Sequence, residues 1–225
     1  MVTPFDWQEG IGFRAQYVEG RLEQGLPIVA ASVDAGILVL TYRRNARKVF
    51  EVYDRLLYSA IGRQADVEAL RVAAVDFASQ EGYRRSEHDV TVERVVAALS
   101  APVQKAFSDF STSPIVARCL FAEVGDTPAD DRFFVLDYDG DYRSVTGSCV
   151  IAGDDERRKA IESALNTDAL GGQSPEQAAT ELLRAWQSRP SDAQPENTAE
   201  LTLEVALLDR SGRRDNRFQL IDWNG

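Results

Sequence analysis

The sequence predicts an α+β fold in which two β-sheets are stacked face to face and a pair of helices covers each outer side. Strand-like apolar runs occur in three blocks, a pair of helical patterns separates each block from the next, and a single helical pattern precedes them all. Strand blocks that alternate with helix pairs cannot bury both faces of their sheets in a two-layer fold, whereas four layers can. Periodicity alone also permits other α+β layouts.

Composition limits the class of protein. The chain has 225 residues, of which 44% are hydrophobic, enough for a sizeable core. Its net charge of −11 argues against nucleic acid or an anionic membrane as a partner. No apolar run reaches the roughly 18 residues of a transmembrane helix, and the first residues do not have the pattern of a signal peptide. Cys119 and Cys149 lie in apolar runs without a partner motif, so we expect buried, reduced thiols in a cytoplasmic protein.

The first predicted helix covers residues 6–24. Asp6 and Glu9 form a capping-box pattern at its start. Its apolar stripe consists of Trp7, Ile11, Ala15, Val18 and Leu22. Gly10 and Gly12 each weaken the helix by about 1 kcal/mol relative to Ala, so packing of the stripe has to hold it in place.

A β-hairpin is predicted after this helix. Its two apolar runs, Ile28–Val33 and residues 37–42, are separated by residues 34–36, which contain a glycine. Four basic residues follow: Arg43, Arg44, Arg47 and Lys48. A further apolar run then continues up to Gly62.

Two helices come next, one over residues 63–83 and one from about Val92. Gly82 stands where the first should end, because glycine favours the C-terminal ends of helices, and Thr91 is the predicted cap of the second. Pro102 interrupts the apolar pattern of the second helix, so we expect a break or bend there.

The remaining elements are three strands, two helices, a loop and a closing pair of strands. The strands cover residues 115–124, 133–138 and 145–152, the helices cover residues 156–166 and a stretch from Ser174, the loop covers residues 188–198, and the closing strands cover residues 201–208 and 217–221. Ser174, Pro175 and Gln177 combine a helix cap, a first-turn proline and a capping-box glutamine.

Several segments together resemble a proteasome subunit. RKVF (residues 47–50) and VYDR (residues 52–55) lie between the hairpin and a strand rich in small residues, as they do in that family. Residues 80–83, 89–91, 121–125, 137–140 and 203–209 agree in the same order. The similarity covers nearly the whole chain and points to the α-type subunit of the actinobacterial proteasome. It implies the four-layer αββα sandwich of the N-terminal-nucleophile hydrolases, with an extra N-terminal helix.

The resemblance also implies how the chain is divided. Residues 1–225 would form a single domain, with a gate-like tail over residues 1–5, the helix over residues 6–24 and the sandwich over residues 26–225. The gate over the axial pore of a ring would contain Met1, Val2, Thr3, Pro4 and Phe5.

Catalytic proteasome subunits begin the first strand of this hairpin with an N-terminal Thr, whose free amine is the base for its own hydroxyl. Here that position falls at Leu26 or Pro27, and neither side chain has a nucleophilic atom. Tyr42 occupies the place of the family's acidic partner, and Thr3 precedes the helix rather than the strand. The resemblance therefore implies a subunit that is not catalytic.

Partners are implied in the same way. Subunits of the α type form rings, heptameric by resemblance, that stack on rings of β subunits, and the N-terminal helix contributes to the contact between rings. A ring-shaped ATPase or another activator inserts a C-terminal tail into a pocket. Lys48 would pair with the tail carboxylate there, and Gly25 would let the tail approach. No cofactor and no metal are implied.

Other interpretations stay open. Lys48 is also compatible with a solvated basic turn, and His88 lies in a polar loop typical of a surface residue. Three aspartates within residues 137–141 suggest a calcium loop, but Gly140 comes too early for one, so a tight turn between strands is favoured. The chain could also be a divergent self-assembling proteasome-like peptidase, or a stand-alone binding module of the same fold.

Overall fold

The computed structural model describes residues 4–188, 200–212 and 217–223, and five α-helices and ten β-strands lie within these ranges. The helices are α1 (Pro4–Leu22), α2 (Gln64–Arg84), α3 (Val92–Ser108), α4 (Asp155–Ala164) and α5 (Pro175–Trp186). The strands are β1 (Ile28–Val33), β2 (Gly36–Arg43), β3 (Val49–Tyr53), β4 (Leu56–Gly62), β5 (Ala117–Glu123), β6 (Arg132–Leu136), β7 (Tyr142–Val145), β8 (Ser148–Ile151), β9 (Thr202–Asp209) and β10 (Phe218–Leu220). The predicted loop over residues 188–198 lies outside the described residues except for Ser188.

The strands form two five-stranded antiparallel sheets. Sheet A has the order β10-β9-β2-β1-β8, and sheet B has the order β3-β4-β5-β6-β7. β1 and β2 form the predicted hairpin, in register from Ile28 opposite Thr41 to Val33 opposite Gly36. β9 pairs with β2 along its whole length, which brings the end of the chain next to the hairpin.

Helices cover both outer faces of the stacked sheets. α2 and α3 pack on sheet B, while α4 and α5 pack on sheet A. Along β1, Val29 and Ala31 face the α5 side, whereas Ile28 and Ala30 face the core between the sheets. Because both faces of β1 are buried, its sequence is a continuous apolar run rather than an alternating pattern. The predicted four-layer αββα sandwich with an extra N-terminal helix is confirmed.

α1 lies two residues nearer the N-terminus than the predicted range of 6–24. Proline is tolerated in the first turn of a helix, where its missing N–H has no helical partner, so the helix starts at Pro4. Asp6 is therefore inside the first turn, and its predicted role as the cap is wrong. Leu22 is fully buried, whereas Trp7 is 48% exposed, so the C-terminal half of the apolar stripe anchors the helix.

Two residues that disfavour the interior of a helix lie within helices. α2 ends at Arg84, one residue beyond the predicted range, so Gly82 lies in its last turn. A Cβ on Gly82 would come within 2.2 Å of the Tyr53 hydroxyl oxygen, so the glycine also permits close packing. α3 runs through Pro102 as one helix, so a break there is wrong, while the alternative of a bend stays a prediction. Val103 and Phe107, which follow the proline, are buried, and this packing outweighs the roughly 3 kcal/mol that an interior proline costs a helix.

Two predicted helix starts are confirmed by their hydrogen bonds. Thr91 Oγ1 accepts from the backbone N–H of Arg94 at 3.4 Å and so caps α3. Ser174 and Gln177 form both bonds of a capping box at the start of α5.

The predicted strand over residues 145–152 corresponds to β8, whereas β7, which ends at Val145, was not predicted. β7 belongs to sheet B and β8 to sheet A, and the chain crosses between the sheets at Gly147, whose φ of +76° favours glycine. β3 was not predicted as a separate strand. Val49 is buried there and Glu51 is exposed, so its apolar signal is short.

Candidate functional site

Lys48 lies at the open end of the β1–β2 hairpin, in the segment that leads from β2 to β3. Its ammonium donates hydrogen bonds to the carbonyl oxygen of Leu26 at 2.7 Å and to Thr41 Oγ1 at 3.1 Å. The side chain is half-buried. Lys48 is therefore held against the start of β1, and it is not the freely solvated side chain of a basic turn.

Glu204 on β9 fixes the backbone around Lys48. Its buried carboxylate accepts from the N–H of Lys48 at 3.2 Å and from the N–H of Val49 at 2.9 Å. The same carboxylate pairs with Nε of Arg43 at 3.2 Å. Sequence reasoning missed Glu204, although a single acidic residue within the apolar run of β9 is a usable signal for a buried, paired carboxylate.

The start of β1 holds two backbone carbonyls that are already engaged. The carbonyl oxygen of Pro27 accepts from Thr41 Oγ1 and from Trp186 Nε1, each at 2.8 Å, and the carbonyl of Leu26 accepts from Lys48. Tyr42 packs its ring on Trp186 with the ring centroids 4.6 Å apart, and burial raises the pKa of its hydroxyl. The residue in the family's acidic position therefore contributes to core packing.

Gly25 connects α1 to β1. A Cβ at this position would lie 2.9 Å from Cβ of Ile61 and 2.9 Å from the carbonyl oxygen of Leu22. The N–H of Gly25 also donates to that carbonyl at 2.7 Å, which closes the end of the helix. Glycine is required here because the backbone approaches its neighbours closely.

Lys48 and Gly25 line one cavity of about 180 Å³, which we call the Lys48 cavity. Its other lining residues are Gln24, Leu26, Arg43, Arg44, Asn45, Ala46, Arg47, Ala60, Ile61, Gly62, Gln64 and Val67. The structure thus brings the two predicted residues together in a concave surface whose charged side chains are all cationic. Binding of an activator tail in this cavity stays a prediction.

The predicted gate residues fall at the edge of the described structure. Met1, Val2 and Thr3 lie outside the described residues. Pro4 and Phe5 belong to the first turn of α1, so they are helical.

The remaining candidate residues lie on the surface, in a turn or in the core. His88 is exposed in a short 3₁₀ helix, and Gly140 has a φ of +88° in the turn between β6 and β7, as expected of a tight turn. Cys119 and Cys149 are buried free thiols, as predicted.

Within the described ranges no cluster of three or more His, Cys, Asp or Glu side chains could hold a metal ion. None of the described helices is long and apolar enough to cross a membrane.

Comparison with known proteins identifies the family. A family model described as proteasome subunit matches residues 23–191. The proteasome α subunit of Streptomyces scabiei is 30% identical over 225 residues, which cover 98% of this chain and 89% of that protein. Those of Xylanimonas cellulosilytica and Sanguibacter keddieii are 32% and 31% identical, each over 89% of this chain and over 84% and 78% of their own lengths. The chain belongs to the proteasome subunit family. Its similarity within that family is to actinobacterial α subunits, so the predicted resemblance is confirmed.

Proposed function

We propose that this protein is a non-catalytic α-type subunit of a bacterial proteasome. The observation that carries the proposal is a similarity to α subunits that extends over 98% of the chain. The start of β1 supports it, because Leu26 and Pro27 offer no nucleophile and their carbonyls are bound by Lys48, Thr41 and Trp186. On this proposal residues 1–225 act as one domain, and the subunit works in the cytoplasm.

We infer that the subunit forms a heptameric ring that stacks on a ring of β subunits and gates the entry of substrate chains. α1 supports a role in these contacts, because three aromatic side chains on it remain exposed: Trp7 at 48%, Phe13 at 63% and Tyr17 at 47%. Exposed apolar groups of this size are typical of interaction surfaces. Residues 1–3 precede α1 and, with Pro4 and Phe5, are the part of the chain that would form the gate.

The Lys48 cavity is the proposed docking site for the C-terminal tail of a ring-shaped ATPase or another activator. A terminal carboxylate brings a full negative charge, and its pairing with an ammonium is a strong, charge-assisted hydrogen bond. The hydrogen bonds of Lys48 to Leu26 and Thr41 fix the position of this charge before a tail arrives. Gly25 supports the assignment because its backbone lines the cavity without a side chain.

Co-expression with the β subunit from the same genome tests the ring assignment. Native mass spectrometry should show stacked rings, and peptide hydrolysis should require the β chain. Hydrolysis by this chain alone, accompanied by a processed N-terminal threonine in the intact mass, would favour the divergent peptidase. A chain that neither assembles nor cleaves would favour the stand-alone binding module.

A tail peptide with either a free or an amidated C-terminus tests the docking site on the assembled complex. The free carboxylate should bind more tightly by about tenfold or more, and Lys48→Met should remove this difference. Lys159→Met removes an exposed ammonium of α4 and is the matched control, which should leave both affinities unchanged. Equal binding of the two peptides by the unaltered complex would reject the docking site while leaving the ring assignment in place.

A further inference from the structure

A second cavity adjoins the Lys48 cavity. It has a volume of about 330 Å³, and we call it the Arg21 cavity. Its lining residues are Tyr17, Arg21, Gln24, Gly25, Arg44, Gly62, Arg63 and Val116. Gln24, Gly25, Arg44 and Gly62 line both cavities, so the two form one continuous groove. A tail whose end lies near Lys48 therefore has a path past Arg44 toward α1.

The charge of this groove is opposite to that of the chain. The protein has 36 acidic residues and a net charge of −11, yet no Asp or Glu is among the residues that line either cavity. The cationic lining residues are Arg21, Arg43, Arg44, Arg47, Lys48 and Arg63. A cleft lined by charges of one sign concentrates ligands of the opposite sign.

Two of these arginines already have acidic partners. Arg43 pairs with Glu204 at 3.2 Å, and Arg63 pairs with Asp66 at 2.8 Å. The charges of these two arginines are therefore partly compensated within the protein.

Arg44 and Arg21 differ from them. Both side chains are exposed, and in the described part of the chain neither makes an ion pair. Arg21 lies in the last turn of α1, and its guanidinium lies over the ring of Tyr17, 5.7 Å from the centroid. Since Arg44 borders both cavities and Arg21 borders the second, the two cations follow each other along the groove beyond Lys48.

We propose that the groove selects an acidic C-terminal tail. The terminal carboxylate binds near Lys48, and a second carboxylate, from an Asp or Glu side chain of the tail, binds between Arg44 and Arg21. Guanidinium groups suit this role because they present several N–H donors to a carboxylate. The inference rests on the proposed docking of a tail at Lys48 and adds to it the chemical class of the tail.

The test uses three synthetic tail peptides of one length on the assembled complex. The first has two acidic residues upstream of a free C-terminus, the second has the corresponding Asn and Gln, and the third is the acidic peptide with an amidated C-terminus. Fluorescence anisotropy should show that the acidic peptide binds about tenfold more tightly than its Asn and Gln counterpart at low salt. In the Arg21→Met/Arg44→Met variant the acidic peptide and its Asn and Gln counterpart should bind with equal affinity. The affinity of the Asn and Gln peptide itself should not change. Arg132→Met, at an arginine that is 60% exposed on β6, is the matched control and should preserve the tenfold preference.

The outcomes separate this inference from the function on which it rests. Equal binding of the acidic and the Asn and Gln peptides, with both dependent on Lys48, would overturn the acidic tail and leave the docking site intact. A preference for the acidic peptide that survives in Arg21→Met/Arg44→Met would also overturn it. Equal binding of the free and amidated peptides would reject docking of a terminal carboxylate, and the inference would fall with it.

Discussion

The arginines at the two ends of the β1–β2 hairpin differ in how many of them are exposed. At the turn end, Arg210 and Asp131 form a buried pair with N–O distances of 2.7 and 2.8 Å, and the carboxylate of Asp131 is fully buried. At the open end, Arg44 and Arg21 are exposed beside a cavity and make no ion pair with any described residue. Arg210 therefore joins parts of the fold at the turn end, whereas the open end combines one such pair, Arg43 with Glu204, with the exposed Arg44 and Arg21.

At the turn end the guanidinium uses all of its hydrogen-bonding capacity. Besides the two bonds to Asp131, Arg210 donates to the carbonyl oxygens of Val33, Asp34 and Gly125 at 3.0, 3.3 and 2.7 Å. Asp131 in turn accepts from the hydroxyl of Ser32 and from the N–H of Gly125. An arginine has five N–H donors, and all five are used here. Such a network ties the end of β9 to the hairpin turn and to the loop between β5 and β6.

The largest expected effect is at this pair. Arg210→Met leaves the carboxylate of Asp131 buried without its partner, and removing one member of a buried ion pair costs about 3–5 kcal/mol. Urea unfolding of the full chain measures the loss. Arg210→Met/Asp131→Asn should recover part of it, because the uncompensated charge is then gone.

Arg44→Met is the matched variant at the open end. The side chain is exposed and outside any ion pair within the described ranges, so its removal should change the free energy of unfolding by no more than about 0.5 kcal/mol. If Arg210→Met and Arg44→Met lowered the free energy of unfolding equally, the contrast between a buried, paired arginine and an exposed one would be disproved.

A smaller effect is expected at Gly25, because the open end is closely packed although it borders a cavity. In Gly25→Ala the new methyl group meets Cβ of Ile61 and the carbonyl of Leu22, each at 2.9 Å, so stability should fall by about 1–3 kcal/mol. Thermal or urea unfolding measures this loss.

Gly12→Ala is the opposite case on the neighbouring helix. A Cβ on Gly12 has no atom within 4 Å, so alanine should raise stability by about 0.5–1 kcal/mol through helix propensity. If both glycine variants gained stability, close packing at Gly25 would be disproved.

The local pattern of the sequence was sufficient for most of the helices and strands, the family resemblance selected the four-layer arrangement, and neither predicted these ion pairs. The hairpin and the caps at Thr91 and Ser174 depend on neighbouring residues, so their patterns are visible in the sequence. Glu204 lies 156 positions from Lys48, and Arg210 lies 79 positions from Asp131. Periodicity carries no information about such partners.

The error at Pro102 has a related cause. The proline was interpreted through backbone propensity, whereas burial of Phe107 decides the structure there. Lys48 and Gly25 were predicted as site residues only because whole segments resemble a known family. Their local sequence predicts a basic turn and no more.

A pH-dependent effect is expected in the apolar middle of the hairpin, where Cys149 of β8 pairs with Ala30 of β1. Burial raises the pKa of the Cys149 thiol from its ordinary value of 9.0 to about 12. Between these values the unfolded chain loses a proton that the folded chain retains. The free energy of unfolding should therefore fall as the pH rises above about 9, by up to about 1.4 kcal/mol per pH unit for this thiol.

Urea unfolding at pH 7.5, 9 and 10 under reducing conditions measures this dependence. Cys149→Ala removes a buried sulfur, so the variant should be less stable at pH 7.5, but its stability should decline less steeply between pH 9 and pH 10. Cys119, whose thiol pKa burial also raises to about 12, contributes the same dependence in both proteins and cancels in the comparison. If the free energy of unfolding depended on pH identically in the two proteins, water would reach the Cys149 thiol in the folded state. The strands beside Cys149 would then not be buried as the structure shows.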